Sequence, residues 1–134
     1  MTGPFILDTN VVSEIMRRQP QPGVLNWMLG LAELHLSVVT VEEITYGLRR
    51  KGMLETEAWF RRFLASGVRV HDLDDGAAQW AGERRGQLSA GGRATTQADA
   101  FVAATAWRLG LVLATRNTRD FEGYGLVLFD PFGL

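Results

Sequence analysis

Phe5-Ile6-Leu7-Asp8-Thr9-Asn10 is a short apolar run that closes on an acid. A strand with no polar residue on either face is buried on both, as in a parallel sheet covered by helices. Similar runs recur down the chain: Leu34 to Val39, Val68-Arg69-Val70, Leu111-Val112-Leu113-Ala114 and Leu126-Val127-Leu128-Phe129. Between them the apolar spacing becomes helical. Val24, Trp27, Met28 and Leu31 follow Pro22, which suits a first helical turn. Val41, Ile44 and Leu48 make a second helical stripe. Leu54 to Leu64 makes a third, with Phe60, Phe63 and Leu64 inward and a Glu57–Arg61 pair outside. Asp74 caps a helix carrying Ala77, Trp80 and Ala81. Ala98, Phe101, Val102, Thr105 and Leu109 form a last helix, which Gly110 ends as a C-terminal cap. Gly86 to Gly92 reads as a flexible joint. The roughly 40 residues after it are marginal for an independent fold, so it is a loop inside one domain. The fold class is α/β, with a parallel sheet covered on both faces.

The chain has 134 residues, the size of a single domain spanning 1–134. With 46% hydrophobic residues and a net charge of -1 it is not a disordered chain. Fourteen basic against fifteen acidic residues exclude a nucleic-acid module that works by charge alone. The absence of cysteine excludes disulfides and thiolate metal sites. No apolar run approaches the ~20 residues of a membrane span, and no basic segment precedes the first apolar run. These features predict a soluble cytoplasmic protein with no membrane partner. Lys51 is the only lysine among the basic residues. Either guanidinium groups are favoured as phosphate clamps, or the genome is GC-rich.

Several familiar chemistries are missing. No glycine-rich segment leads into Lys-Ser/Thr, so there is no P-loop. Gly123-Tyr124-Gly125 lacks the third glycine of a dinucleotide fingerprint, and no Gly-x-Ser-x-Gly elbow is present. His35 and His71 lie in or beside strands without zinc-ligand spacing and read as structural.

What remains is acid. Asp8 ends the first strand. Glu43 follows the second, in the first turn of the next helix. Asp99 opens the helix before the fourth strand, and Asp120 follows that strand. In a parallel α/β sheet the carboxyl ends of strands and the N-termini of helices share one edge, where ligands bind. All four acids are therefore expected on one rim. Each has a plainer explanation alone: Thr40 with Glu43 and Thr96 with Asp99 fit helix-capping boxes, Asp8 fits a cap, and Asp120 fits a loop turn. Convergence of four favours a site. Gly47, one turn beyond Glu43, either keeps space open above that acid or permits close helix packing. Clustered carboxylates raise one another's pKa, and a hard divalent cation relieves the repulsion through oxygen ligands. Such a centre suits phosphodiester hydrolysis.

Four segments then resemble a known family. Ile6 to Glu14, Ser37 to Gly47, Ala98 to Ala106 and Thr115 to Phe121 are similar, in order, to PIN-domain proteins of the VapC toxin group, FitB-like members above all. The resemblance spans the chain. It implies a three-layer α/β/α sandwich with a central five-stranded parallel sheet, Mg²⁺ or Mn²⁺ dependence and ribonuclease activity. It also implies homodimers and an inhibiting VapB-like antitoxin, with operator DNA reached only through that antitoxin. Asp8, Glu43 and Asp99 match the acidic triad and are the expected metal ligands. FitB-like members place an aspartate directly after Thr-Arg, where this chain has Asn117, with Asp120 three residues on. Asp120 either touches the metal or orients water, alongside Asn117. Glu43 is preferred to Glu42 because it keeps the Glu-Ile-x-x-Gly spacing. Arg116 is either a phosphate contact or a counter-ion.

The expected function is a metal-dependent endoribonuclease toxin with RNA as substrate. Asp8, Glu43 and Asp99 hold the metal in this reading, and Asp120 with Asn117 supports the water. One rival is a PIN-fold subunit that joins an antitoxin on operator DNA and cleaves little, which the neutral Asn117 favours. Another is a phosphohydrolase or phospho-acceptor with Asp8 as nucleophile. It lacks a second nearby aspartate, and Lys51 is too far along its helix. Trp27, Trp59, Trp107 and the Phe129 to Gly133 tail serve either as an apolar interface or as core.

Overall fold

The computed structural model describes residues 3–134. Its elements run β1 (Phe5–Leu7), α1 (Thr9–Ile15), α2 (Pro22–Leu29), β2 (His35–Ser37), α3 (Val38–Arg50), α4 (Leu54–Ala65), β3 (Arg69–His71), α5 (Asp75–Ala90), α6 (Gln97–Leu109), β4 (Val112–Ala114) and β5 (Leu128–Phe129). The five strands form one parallel sheet in the order β3-β2-β1-β4-β5. Ile6 stands opposite His35 on one side and Leu113 on the other. The chain thus winds outward from β1 in one direction, then returns to pair β4 with β1 and winds outward in the other. The carboxyl ends of β1 and β4 flank the switch point where such sheets bind ligands.

Alternation along β1 divides the core. Ile6 joins Leu113 under α5 and α6, where Ala77, Ala81, Ala100, Ala103, Ala104 and Ala106 let the helices approach closely. Phe5 and Leu7 face the other layer, with Val11 and Val12 of α1, Val24 and Met28 of α2, Ile44 and Leu48 of α3, and Phe60 of α4. Trp27 and Phe129 belong to this second layer, at 5.0 and 5.5 Å from the Phe5 ring, so they are core residues. Trp59 and Trp107 remain 37% and 48% exposed.

The sequence reading needs three corrections here. The second strand stops at Ser37, not Val39, because Ser37 caps α3 by accepting from the Val39 amide. A hydroxyl cap beats the β-preference of two valines. The expected joint from Gly86 is helix: α5 runs through to Ala90 and only Gly91-Gly92 end it, Gly92 at φ 86°. Leu88, half-buried against the core layer beneath α5 and α6, anchors that glycine-bearing turn and overrides its propensity. Finally, Glu57 is buried, although its partner Arg61 is exposed. Its carboxylate takes a two-pronged contact from Arg49 at 2.9 and 2.7 Å, tying α3 to α4.

Hydrogen bonding by Arg49 holds the Glu57 carboxyl down at about 2, against an ordinary 4.5. A lowered carboxylate stabilises the fold above its unfolded pKa, and that contribution fades as pH falls from about 4.5 towards 2. Glu57→Gln should therefore melt below wild type at neutral pH, with the gap narrowing through that window. Parallel melting curves across pH check it, and a constant gap contradicts the pairing.

Candidate active site

Asp8 sits where β1 hands over to α1, and it is 6% exposed. Its backbone amide donates to the Ala114 carbonyl at 2.9 Å, which locks the end of β1 to the end of β4. One carboxylate oxygen, Oδ1, accepts from the Thr9 amide at 2.8 Å, so the capping role is real. It is not the whole role. Oδ2 accepts from Thr115 Oγ1 at 2.8 Å and Asn10 Nδ2 at 3.0 Å. Thr115 Oγ1 accepts in turn from Asn10 Nδ2 and the Asn117 amide, and Asn10 Oδ1 accepts from the Arg116 amide. Residues more than a hundred positions apart are thereby fixed around one carboxylate. Burial raises the pKa of Asp8 against these hydrogen bonds, and the charge of Glu43 raises it further.

Glu43 accepts from Thr9 Oγ1 at 2.8 Å, next to Asp8. Since α3 starts at Val38, Glu43 lies beyond the first turn and Ser37 is the cap. The capping-box explanation of Thr40 and Glu43 therefore fails, and the Thr40 hydroxyl is buried without a hydrogen-bond partner. Glu42 is exposed on another face, beside Tyr46 and Arg50. A Cβ at Gly47 would meet nothing within 4 Å, so close helix packing does not explain that glycine. Glu43→Gln is expected to lower RNA cleavage far more than Glu42→Gln. Equal effects in a side-by-side cleavage assay would remove Glu43 from the site.

Asp99 occupies the first turn of α6, where its amide donates to the capping Thr96 Oγ1 at 3.1 Å. Here the cap is Thr96, and the Asp99 carboxylate does something further. It shares a cavity of about 230 Å³ with Asp120, Ala94, Thr95 and Thr96. Burial foremost, then the charges of Asp8, Asp120 and Glu43, push its pKa from 3.8 to about 6. Asp120 is exposed in a short 3₁₀ turn (Thr118–Phe121), its amide donating to the Asn117 carbonyl at 3.0 Å. The four acids share one rim without a closed cage. Among the described residues, no three Asp, Glu, His or Cys side chains stand close enough together to enclose an ion.

The chemistry of the donors nonetheless fits a hard divalent cation. All are carboxylates, and burial first, then the charges of the other three, disfavour the Asp99 carboxylate, only partly offset by Thr96. The histidines stand apart: His35 Nδ1 and His71 Nε2 are 2.8 Å from one another, and His35 Nε2 is 3.0 Å from Glu33. They are mutually satisfied structural groups. Reading the sequence missed Thr9, Asn10 and Thr115, which position Asp8 and Glu43. Its signal was two clusters of hydroxyl and amide residues at strand ends, Thr9-Asn10 and Thr115 to Asn117. It also missed Glu14, a buried carboxylate whose pKa is lowered chiefly by the Gln21 amide, which it accepts at 2.9 Å.

The family described as PIN domain matches residues 5–125. The VapC ribonuclease Y4jK of Sinorhizobium fredii is 33% identical, covering 96% of this chain and 97% of its own. Toxin FitB of Neisseria gonorrhoeae is 30% identical over 96% and 98% of the two chains. The DNA-bound VapBC structure from Salmonella typhimurium superposes with a TM-score of 0.83 at 28% identity, covering 97% of this chain and 99% of that one.

Proposed function

The chain belongs to the PIN domain family, and from that membership we propose that it is a metal-dependent endoribonuclease, the toxin of a toxin–antitoxin pair. The observation that carries the reading is the gathering of Asp8, Glu43, Asp99 and Asp120 beside the sheet's switch point, with Asp99 held near 6. Asp8 and Asp99 would be the principal residues to hold a Mg²⁺ or Mn²⁺ ion, with Glu43 completing the set. When bound, the ion supplies Lewis-acid stabilisation for hydrolysis of a phosphodiester.

The chain's own groups do the rest. Thr115, Asn10 and the Thr9 amide hold the Asp8 carboxylate in one orientation, and the Thr9 hydroxyl does the same for Glu43. Asp120 accepts a hydrogen bond from the attacking water, and the neutral Asn117 amide beside it orients that water. Preorganised hydrogen bonds of this kind avoid reorganisation during reaction. Incubating mixed RNA with the protein, with Mg²⁺ and with chelator, tests the reading. Metal-dependent cleavage is expected. No cleavage under either condition, with antitoxin and operator DNA still bound, would favour a PIN-fold binding subunit.

The partner follows from the charge. A VapB-like antitoxin inhibits by inserting a basic side chain among these acids, since a guanidinium fork matches carboxylate geometry. The toxin acts as a homodimer and reaches operator DNA only through that antitoxin. Affinity for the antitoxin should weaken as salt rises and in Asp99→Asn. An affinity indifferent to both, measured by titration calorimetry, would contradict the insertion.

A further inference from the structure

Beside the acid rim, a cleft of about 490 Å³ opens between α1, α3 and the start of α4. Glu43 stands on its wall, so the cleft and the acid rim are continuous. Its floor is apolar, built from Met16, Ile44 and Leu48. Lys51 and Arg116 stand at its edge, and neither makes an ion pair among the described residues. The Arg116 guanidinium is braced 4.3 Å above the Phe132 ring. Glu14, the other acid of the lining, is already occupied by Arg17 and the Gln21 amide. Gly47 forms part of the wall with open space where its Cβ would be. A glycine inside a helix costs stability, and a side chain at this position would project into the cleft.

We propose that the cleft is a nucleotide subsite. It takes a base of single-stranded RNA flanking the scissile phosphate, with the base on the apolar floor and a neighbouring phosphate between Lys51 and Arg116. The proposal rests on the ribonuclease reading above. The volume lies within the ~300–1,000 Å³ range of small-ligand clefts. Phosphate is the complement of Lys51 and Arg116, the two lining cations without an ion-pair partner among the described residues, whereas a basic peptide segment would meet like charge at both. The only lysine in the chain thereby gains a role that helix position alone did not give it.

The test compares wild type, Gly47→Leu and Lys51→Gln on two substrates: an oligoribonucleotide, and bis(p-nitrophenyl) phosphate, which is too small to fill both centres. Gly82→Leu, another open helical position, controls for the change of helix propensity. Gly47→Leu is expected to raise the KM for the oligoribonucleotide about ten-fold or more, the scale of a lost base contact. Its loss on the small diester should be far smaller. Anisotropy of a fluorescein-labelled oligouridylate, with Ca²⁺ replacing Mg²⁺, should show the same weakening. Lys51→Gln should weaken binding less and reduce its salt dependence.

Equal losses on both substrates would overturn the subsite, since the acid rim itself would then be damaged. Unchanged KM and binding in both variants would also overturn it, and would leave the cleft to a peptide segment of a partner. A wild type that cleaves neither substrate with Mg²⁺ defeats the ribonuclease reading, and the subsite with it. An active wild type with unaffected variants defeats the subsite alone. Should Gly47→Leu not fold, Lys51→Gln decides.

Discussion

Asp8→Asn should leave a folded protein that cleaves RNA at least ~10³-fold more slowly, a loss of several kcal/mol of transition-state stabilisation. The substitution keeps the shape of the side chain and its acceptor towards the Thr9 amide. It removes the charge a hard cation requires. It also turns one of the two terminal atoms into a donor, facing Thr115 Oγ1 and Asn10 Nδ2, which both donate to Asp8 now. That mismatch costs roughly 1–3 kcal/mol. Relief from burying a carboxylate offsets part of it, because burial is the main cause of the raised Asp8 pKa. The melting temperature should therefore stay within several degrees of wild type while activity disappears. Mg²⁺-dependent cleavage at wild-type rate by the variant would remove Asp8 from the metal site.

Asp99→Asn should do something a structural residue would not: raise the melting temperature of the metal-free protein while abolishing activity. The folded state holds Asp99 at about 6, against 3.8 ordinarily. Below pH 3.8 the group is neutral in both states and costs nothing. Between 3.8 and about 6 the unfolded chain ionises first, so the wild type loses stability as pH rises, and above 6 the penalty is complete. At ~1.36 kcal/mol per pH unit the full shift is worth roughly 3 kcal/mol, and about half that for a half-buried, solvent-screened group. The lost attraction to the α6 N-terminus is smaller, roughly 0.5 kcal/mol. A net gain of about 1 kcal/mol raises Tm by roughly 3–5 °C at neutral pH. Near pH 4 the gain should vanish. Mg²⁺ should stabilise wild type by about 2.7 kcal/mol at a hundred times its dissociation constant, and should barely move the variant. A variant that melts below wild type in chelator, with no Mg²⁺ response in either, would make Asp99 a helix-end residue only.

Much of this site was legible before any coordinates. Phe5-Ile6-Leu7 reads as a doubly buried strand because three apolar residues in a row leave no solvated face. Gly110 reads as a helix end because glycine suits a C-terminal cap, and it adopts the left-handed φ of 65° there. Parallel topology then sends strand ends and helix starts to one edge, which suffices to group Asp8, Glu43, Asp99 and Asp120. The illegible parts are of two kinds. Some depend on a competition between local preferences, as where Ser37 ends β2 two residues before the valines do and so shifts Glu43 out of the first turn. Others depend on contacts between distant residues. Thr115 reaches Asp8, and Arg49 draws Glu57 inward from a helix face that looked solvated. No spacing rule encodes these pairs, because they form only when the sheet brings β1 beside β4 and when α3 packs on α4.

In the proposed reading Asp8, Asp99 and Glu43 hold one divalent cation, with Asp120 beside it. Binding of Mn²⁺ followed by electron paramagnetic resonance, in wild type, Asp8→Asn and Asp99→Asn, tests it most directly. Saturable binding by wild type, displaced by Mg²⁺ and lost in both variants, is the predicted result. Undiminished Mn²⁺ binding in both variants, or no binding by the wild type, would contradict it.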